Sequence, residues 1–198
     1  MSKKKPPRHK RVQHPDIDLR WGSDYLEHHV RMLCDTLLLI RQNKDRHEQL
    51  GAAWNAVVDS FLVHARLLAE FLTKEDDRDN DILAVDYFWD SPDNYTPKFD
   101  PWLADFCEKI GTRVAHITTE PMYARLPEKD DDETRLLISE MVWNMGQAAE
   151  LIKERLMEFL KEVSESRLHM EEDISDKTRI LAHLDRMNPP PADVPPSD

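Results

Sequence analysis

The chain has 198 residues, enough for one domain with tails, and 33% of them are charged, with a formal net charge of -12. The small number of glycines (4) argues against sandwiches, barrels and glycine-rich phosphate loops, and an acidic body repels the phosphates of nucleic acid. The longest apolar runs fall far short of the roughly 20 residues of a membrane span, so we expect no membrane contact.

The first 20 residues carry seven Lys or Arg and two Asp, with no apolar stretch behind them. This pattern predicts a basic disordered tail over 1–20 and excludes a secretory signal. The tail is either simply solvated or a contact for RNA or an acidic partner. Cys34 and Cys107 lack metal-ligand spacing, so we expect buried thiols in a reducing, cytoplasmic compartment.

Four amphipathic patterns follow, and they predict an all-α fold, an antiparallel four-helix bundle over 21–170. Ser23 is a predicted N-cap for the first helix. The expected helices run over about 23–42, 48–73, 101–118 and 131–164. Residues 171–198 form an acidic, proline-rich tail with a short helical segment, DKTRILAHLDRM, that either packs on the body or stays mobile.

The link between the second and third helices, 74–100, begins acidic and then becomes aromatic, ending in ILAVDYFWDSPDNYTPKF. So many large apolar groups are unfavourable in water. We therefore expect the link to pack across the bundle, where it caps one end or lines a cleft.

The second helix, in NAVVDSFLVHARLLAEFL, raises the question of a binding site. At 100° per residue, Asn55, Asp59, Arg66 and Glu70 share one stripe, whereas His64 lies on the opposite flank. His64 and Arg66 therefore cannot serve one site from one copy of the helix. The candidate ligand-binding residues are His64, Arg66, Asn55 and Asp59; the alternative for Arg66 is an ion pair with a carboxylate of its own stripe.

Histidines on the first three helices suggest a second alternative. His29 and His64 flank the turn near Asp45 at similar distances, so an antiparallel pair places them within about 5 Å along the axis. With His116 they could bind zinc, nickel or iron, share a proton, or be structural. Because no H-x-x-x-H or E-x-x-H spacing is present, we predict no metal or cofactor.

The third helix carries the candidate catalytic pair. Arg113 and His116 are i and i+3, so their side chains are neighbours on a helix. A histidine that moves protons beside an arginine that stabilises a phosphorane is a workable pair for metal-independent RNA cleavage. A solvated flank with a pair between His116 and Glu120 is the alternative.

A family resemblance runs through NAVVDSFLVHARLLAEF, DILAVDYF and RVAHIT. Over about 55–118 the chain resembles a group of uncharacterised bacterial helical proteins that are similar to HEPN (higher eukaryotes and prokaryotes nucleotide-binding) bundles. HEPN ribonucleases carry an arginine and a histidine with four to six residues between them, and two subunits often bring these motifs together. Arg113 and His116, with two residues between them, depart from that spacing. Arg41 and His47, with five residues between them, match it but lie in the first turn. The positions that match the resemblance are Asn55, Ser60, His64, Arg66, Asp86, Tyr87 and His116.

The sequence thus favours a HEPN-like helical bundle that binds a partner and has no catalytic activity of its own. A ribonuclease that uses His116 and Arg113 is the first alternative, and a three-histidine metal-binding bundle is the second. A homodimer, a protein partner and RNA remain open as partners.

Overall fold

The computed structural model describes residues 13–74, 81–98, 100–114, 132–171 and 174–187, with the backbone alone for 109, 111–114 and 132–143. This part of the chain is mostly helical, as expected, with one short antiparallel hairpin. None of its helices is long and apolar enough to cross a membrane. The elements are α1 (Asp16–Asn43), α2 (His47–Leu50), α3 (Ala52–Thr73), α4 (Pro101–Val114), α5 (Asp132–Glu162), β1 (Met170–Glu171), β2 (Ile174–Ser175) and α6 (Asp176–Met187).

Helix α1 begins at Asp16, inside the segment that we expected to be disordered, so residues 16–20 are helical instead. Ser23 is not an N-cap but a fully buried residue within the helix. Leu19, Leu26 and Val30 extend the apolar spacing of the helix in both directions from Ser23 and are buried. The expected start of the helix at Ser23 was therefore wrong, because the apolar periodicity continues upstream of Ser23 to Leu19.

Two short helical pieces reverse the chain between α1 and α3. A 3-10 turn (Lys44–Arg46) and α2 precede Gly51, which has φ 48 and ψ -117. A positive φ is costly for residues with a Cβ, so glycine separates the two helices here. The predicted single helix over 48–73 is therefore broken, and α3 starts at Ala52.

Helix α3 is the central element. It packs against α1, α4 and α5, and α1 packs in turn against α5 and α6. The buried side chains of α3 recur every three or four residues and join one core cluster with those of the other helices. They are Trp54, Val58, Phe61, Leu62, Ala65, Leu68, Ala69 and Leu72.

The aromatic link packs on the helices, which confirms the expectation for it. Tyr87 and Tyr95 are buried, and their hydroxyls donate to the carbonyl oxygens of Leu19 (2.6 Å) and Leu72 (2.9 Å). Both rings meet Phe159 of α5 edge-on, with centroids 5.3 and 5.9 Å away. The link thus connects α1, α3 and α5, and Asp86 accepts from the Leu83 N–H at 2.7 Å to hold its 3-10 turn.

Helix α6 packs on the body rather than standing apart as a tail. Ile180, Leu184 and Met187 are buried in the common core. The side chain of Arg41 donates to the Met187 carbonyl at 2.9 Å, and Ser23 lies 2.6 Å from Asp176. The earlier residue of α1, Ser23, contacts the start of α6, and the later one, Arg41, contacts its end. Helix α6 therefore runs alongside α1 in the same direction.

Candidate functional site

A pair of histidines joins α1 to α3. The Nδ1 atoms of His29 and His64 lie 2.9 Å apart, a hydrogen-bond distance at which one ring donates its N–H and the other accepts. Both residues are half-buried. The sequence placed these two residues at one level from their distances to the turn, and the structure brings them into contact.

A third histidine completes the cluster. His28 lies with its ring centroid 5.5 Å from that of His29 and 5.8 Å from that of His64. One ligand atom of each of the three residues lies within 4.8 Å of the other two. The Nδ1 of His28 lies 3.2 Å from the Arg31 guanidinium, which can only donate, so this nitrogen is an acceptor.

Two imidazoles of the cluster, those of His29 and His64, are neutral near neutral pH. Burial, then His64 and His28, lower the pKa of His29 from its ordinary value to about 4. Burial and His28 also lower the pKa of His64. A neutral imidazole has one nitrogen with a free lone pair. These rings therefore offer nitrogen lone pairs, which accept hydrogen bonds or bind metals, rather than positive charge.

The sequence led us to expect His116 as the third histidine, whereas the structure places His28 beside His29 and His64. His28 lies about 100° from His29 around α1, and the expectation of one face per helix excluded it. The dipeptide His28–His29 was the available signal. The His28 ring reaches His64 from the flank of α1, because a histidine side chain is long enough to extend across the helix surface. His116 lies outside the described residues.

The three histidines lie within an exposed apolar surface, which we name the α1–α3 face. Six of the eleven large exposed hydrophobic residues in the described part of the chain belong to it. Along α3 and along α1 up to Met32 they recur with the histidines at steps of three or four residues, and Leu39 follows Met32 after two such steps, so they share the outer flank of each helix. The face comprises Ile17, Trp21, Tyr25, Met32 and Leu39 of α1 and Ala56, Ser60, Val63 and Leu67 of α3.

The other candidate ligand-binding residues of α3 lie away from this cluster. Arg66 donates from its Nε to Glu70 at 2.7 Å, and Lys74 binds the second oxygen of the same carboxylate at 2.9 Å. Burial raises the pKa of Glu70, but the hydrogen bonds from the two cations outweigh it and the net pKa is lowered. Arg66 is therefore the partner of a carboxylate on its own stripe. Asn55 is exposed, and Asp59 is half-exposed.

The candidate catalytic pair is not described. His116 lies outside the described residues, and of Arg113 only the helical backbone is described. Arg41 and His47, which have the HEPN spacing, are directed to separate carbonyl groups. Arg41 donates to Met187, and the Nδ1 of His47 lies 3.0 Å from the carbonyl oxygen of Lys44.

Two further residues of the resemblance have structural contacts. Asp86 holds the turn of the aromatic link, and the Tyr87 hydroxyl donates to α1. Burial raises the pKa of Tyr87 far above its ordinary value, so its hydroxyl stays protonated as a donor. The DYF motif therefore fixes the link in place.

Both cysteines are free thiols. Cys34 is buried and Cys107 is half-buried. Burial raises the pKa of Cys34 to about 12 and that of Cys107 to about 11. Thiols with such pKa values are poor nucleophiles at neutral pH, so neither is an activated catalytic cysteine.

No protein-family model, curated protein or solved structure matches the chain. The functional conclusion therefore depends on the residues themselves.

Proposed function

We propose that this chain is a non-catalytic interaction protein that forms a homodimer through the α1–α3 face. The observation that carries the proposal is the continuity of exposed apolar side chains along two packed helices. Trp21 is 56% exposed, Tyr25 67% and Leu67 43%. A contiguous apolar surface of this kind is typical of a protein–protein interface.

Charge favours a second copy as the occupant. The nine residues that define the α1–α3 face are uncharged, in a chain in which 33% of residues are charged, and few charges lie beside them: Asp18 lines the same groove as Trp21 and Tyr25, and Asp35 pairs with Arg186 of α6. Two copies with a net charge of -12 repel each other over most of their surface. A two-fold interface places the same patch of both copies together, so a patch with few charges limits this repulsion.

The size of the face is sufficient for a modest dimer. With a rise of 1.5 Å per residue, the shared length of α1 and α3 is about 30 Å, and two adjacent helices are about 20 Å wide. Such a patch covers about 600 Å² on each copy. The total of about 1,200 Å² is at the lower end of specific interfaces, which predicts a dimer that dissociates on dilution.

The proposal includes finer features expected from the sequence. We take α1, α3, α4 and α5 as an antiparallel four-helix bundle of HEPN-like type and the protein as cytoplasmic. The free thiols of Cys34 and Cys107 fit a reducing compartment. The resemblance to HEPN bundles supports pairing of subunits.

The test compares substitutions on the α1–α3 face with matched substitutions elsewhere. Leu67→Lys places a charge at the centre of the face, and Met157→Lys, on α5, is the control because that side chain is equally exposed (44%). Leu39→Lys and its neighbour Leu38→Lys form a second pair, since adjacent helical residues point about 100° apart. Sedimentation-equilibrium measurements over about 1–100 µM cover the range expected for a small interface.

We expect a dimer–monomer equilibrium for the wild type and both controls, and monomers for Leu67→Lys and Leu39→Lys. A wild type that stays monomeric throughout this range would sink the proposal. So would equal weakening by Leu38→Lys and Leu39→Lys, because the interface would then lie elsewhere.

The ribonuclease alternative is tested directly by activity. The interaction proposal expects no cleavage of structured RNA by the purified protein without added metal. Cleavage by the wild type that is lost in His116→Ala, at unchanged thermal stability, would replace the proposal with metal-independent catalysis by His116 and Arg113.

A further inference from the structure

We propose that His28, His29 and His64 form a binding site for one divalent transition-metal ion of the zinc, nickel or copper class. The three side chains would supply three nitrogen ligands, and a fourth position would face outward on the α1–α3 face. All three ligands belong to one chain, so the site does not require the proposed dimer, although it lies within the surface that the dimer would cover.

The spacing of the nitrogens suits a common ion. Two ligands about 2.0–2.1 Å from zinc lie about 3.3 Å apart at the tetrahedral angle and about 2.9 Å apart at a right angle. The Nδ1 atoms of His29 and His64 are already 2.9 Å apart. The ligand atom of the third residue lies within 4.8 Å of both, so a movement of about 1–2 Å by the His28 side chain closes the set.

The donor set determines the class of metal. Neutral imidazole suits zinc, copper, nickel and iron, whereas magnesium and calcium take oxygen ligands. Three protein ligands with an open fourth position are typical of catalytic zinc sites rather than closed structural ones. The outward position can therefore hold water or a small ligand.

Metal binding explains a feature of the cluster that hydrogen bonding does not. The hydrogen bond between the Nδ1 atoms of His29 and His64 explains why these two histidines are satisfied without metal. It does not explain why a third imidazole reaches the same pair.

One neighbour opposes the metal. Arg31 donates to the Nδ1 of His28, and its positive charge repels a cation. Ligation through Nδ1 of His28 requires that this nitrogen gives up the guanidinium. Ligation through Nε2 requires that the Nε2 proton moves to Nδ1, which then can no longer accept from Arg31. Both routes break the hydrogen bond to Arg31, so removal of the guanidinium should strengthen binding.

The experiment is a calorimetric titration of the full chain, produced without a polyhistidine tag, with Zn²⁺ and separately with Ni²⁺ and Mg²⁺. Three variants remove the ligands: His28→Gln, His29→Gln and His64→Gln. The control is His183→Gln, a histidine of α6 that lies 2.6 Å from Glu27 and not in the cluster. Circular dichroism of each variant establishes that it is folded.

We expect one Zn²⁺ per chain in the wild type and in His183→Gln, and no binding of Mg²⁺. Each ligand variant should bind Zn²⁺ more than about tenfold more weakly, since even loss of an outer-shell partner costs 10–100-fold. Arg31→Gln should bind it more tightly. The same titration of Leu67→Lys should give one Zn²⁺ per chain, which separates this site from the proposed dimer.

Several results would overturn the site. These are no Zn²⁺ binding by the wild type, unchanged binding by His29→Gln or His64→Gln, or weaker binding by Arg31→Gln. If the ligand variants do not fold, X-ray absorption spectroscopy of the Zn²⁺-loaded wild type counts the imidazole ligands of the bound zinc instead. Three imidazole ligands support the site, and fewer than three contradict it.

Discussion

Ser23 and Asp176 are the clearest example of a polar pair inside the core, because both are completely buried. The Ser23 hydroxyl oxygen lies 2.6 Å from the Asp176 carboxylate and accepts from the His169 N–H at 2.8 Å. Arg179, on the next turn of α6, pairs with the same carboxylate. One serine therefore connects α1 to both the hairpin and α6.

Ser23→Ala should lower the free energy of unfolding by about 1–3 kcal/mol, because it leaves a buried carboxylate oxygen and a backbone N–H without this partner. Chemical denaturation with urea measures the change. Ser164→Ala is the control, since Ser164 is exposed and its hydroxyl lies 2.8 Å from that of the exposed Ser166. A loss no larger than that of the control would show that the buried pair is not needed for stability.

The histidine pair makes the metal-free protein sensitive to acid. His29 titrates near pH 6.5 in the unfolded chain but at about 4 in the folded one. Above pH 6.5 neither state is protonated, so the pair adds no pH dependence. Between pH 6.5 and about 4 only the unfolded state binds the proton, and the free energy of unfolding falls as the pH falls.

Thermal unfolding in the presence of a chelator, from pH 7.5 to 4, checks this expectation. The double substitution His29→Gln with His64→Gln should flatten the fall relative to the wild type. A wild-type profile as flat as that of the double variant would contradict the lowered pKa values.

At the scale of elements, the aromatic link and α1 make a close approach at Gly22. A Cβ at this position would lie 2.9 Å from the Tyr87 hydroxyl and 3.1 Å from the side chain of Ile82. Glycine is thus favoured at position 22 because the side chains of Tyr87 and Ile82 leave little room for a Cβ, and not because of its backbone conformation. The link is held on α1 by the bond from that hydroxyl to Leu19.

Gly22→Ala should destabilise the protein by about 1–3 kcal/mol through overpacking. Tyr87→Phe loses one buried hydrogen bond, worth about 1 kcal/mol, but also removes the atom that a Cβ meets first. The double variant should therefore lose less than the sum of the single losses. Denaturation of the four proteins in a double-mutant cycle measures this coupling, and exact additivity would contradict the contact.

At the scale of the whole molecule, net charge acts against the proposed dimer. Copies with a net charge of -12 repel at a distance, while the apolar side chains of the α1–α3 face would attract at contact. Raising NaCl from about 0.05 to 0.5 M shortens the screening length from about 14 Å to about 4 Å. The dimer should therefore become several-fold tighter.

Sedimentation equilibrium at the two salt concentrations tests this expectation. Weaker association at high salt would show that ion pairs, rather than apolar contacts, hold the copies together. The Met157→Lys control should respond to salt in the same direction as the wild type.

The sequence by itself determined the helical class, the packed aromatic link and the depth match of His29 and His64. Each depends on a local regularity: the 3.6-residue period, the cost of exposed aromatic groups, and the equal rise of two helices joined by a short turn. For Arg66 the sequence left two interpretations open, a ligand-binding residue or an ion pair with a carboxylate of its own stripe, and the structure shows the pair with Glu70.

Only the tertiary structure decided how the elements use these residues. Ser23 resembles an N-cap in sequence, yet it is buried because α6 and the hairpin pack over it. His28 joins the other two histidines because the spatial approach of α3 brings His64 within reach of both α1 rings. Such contacts join residues far apart in the chain, and no local period records which distant side chain will face them.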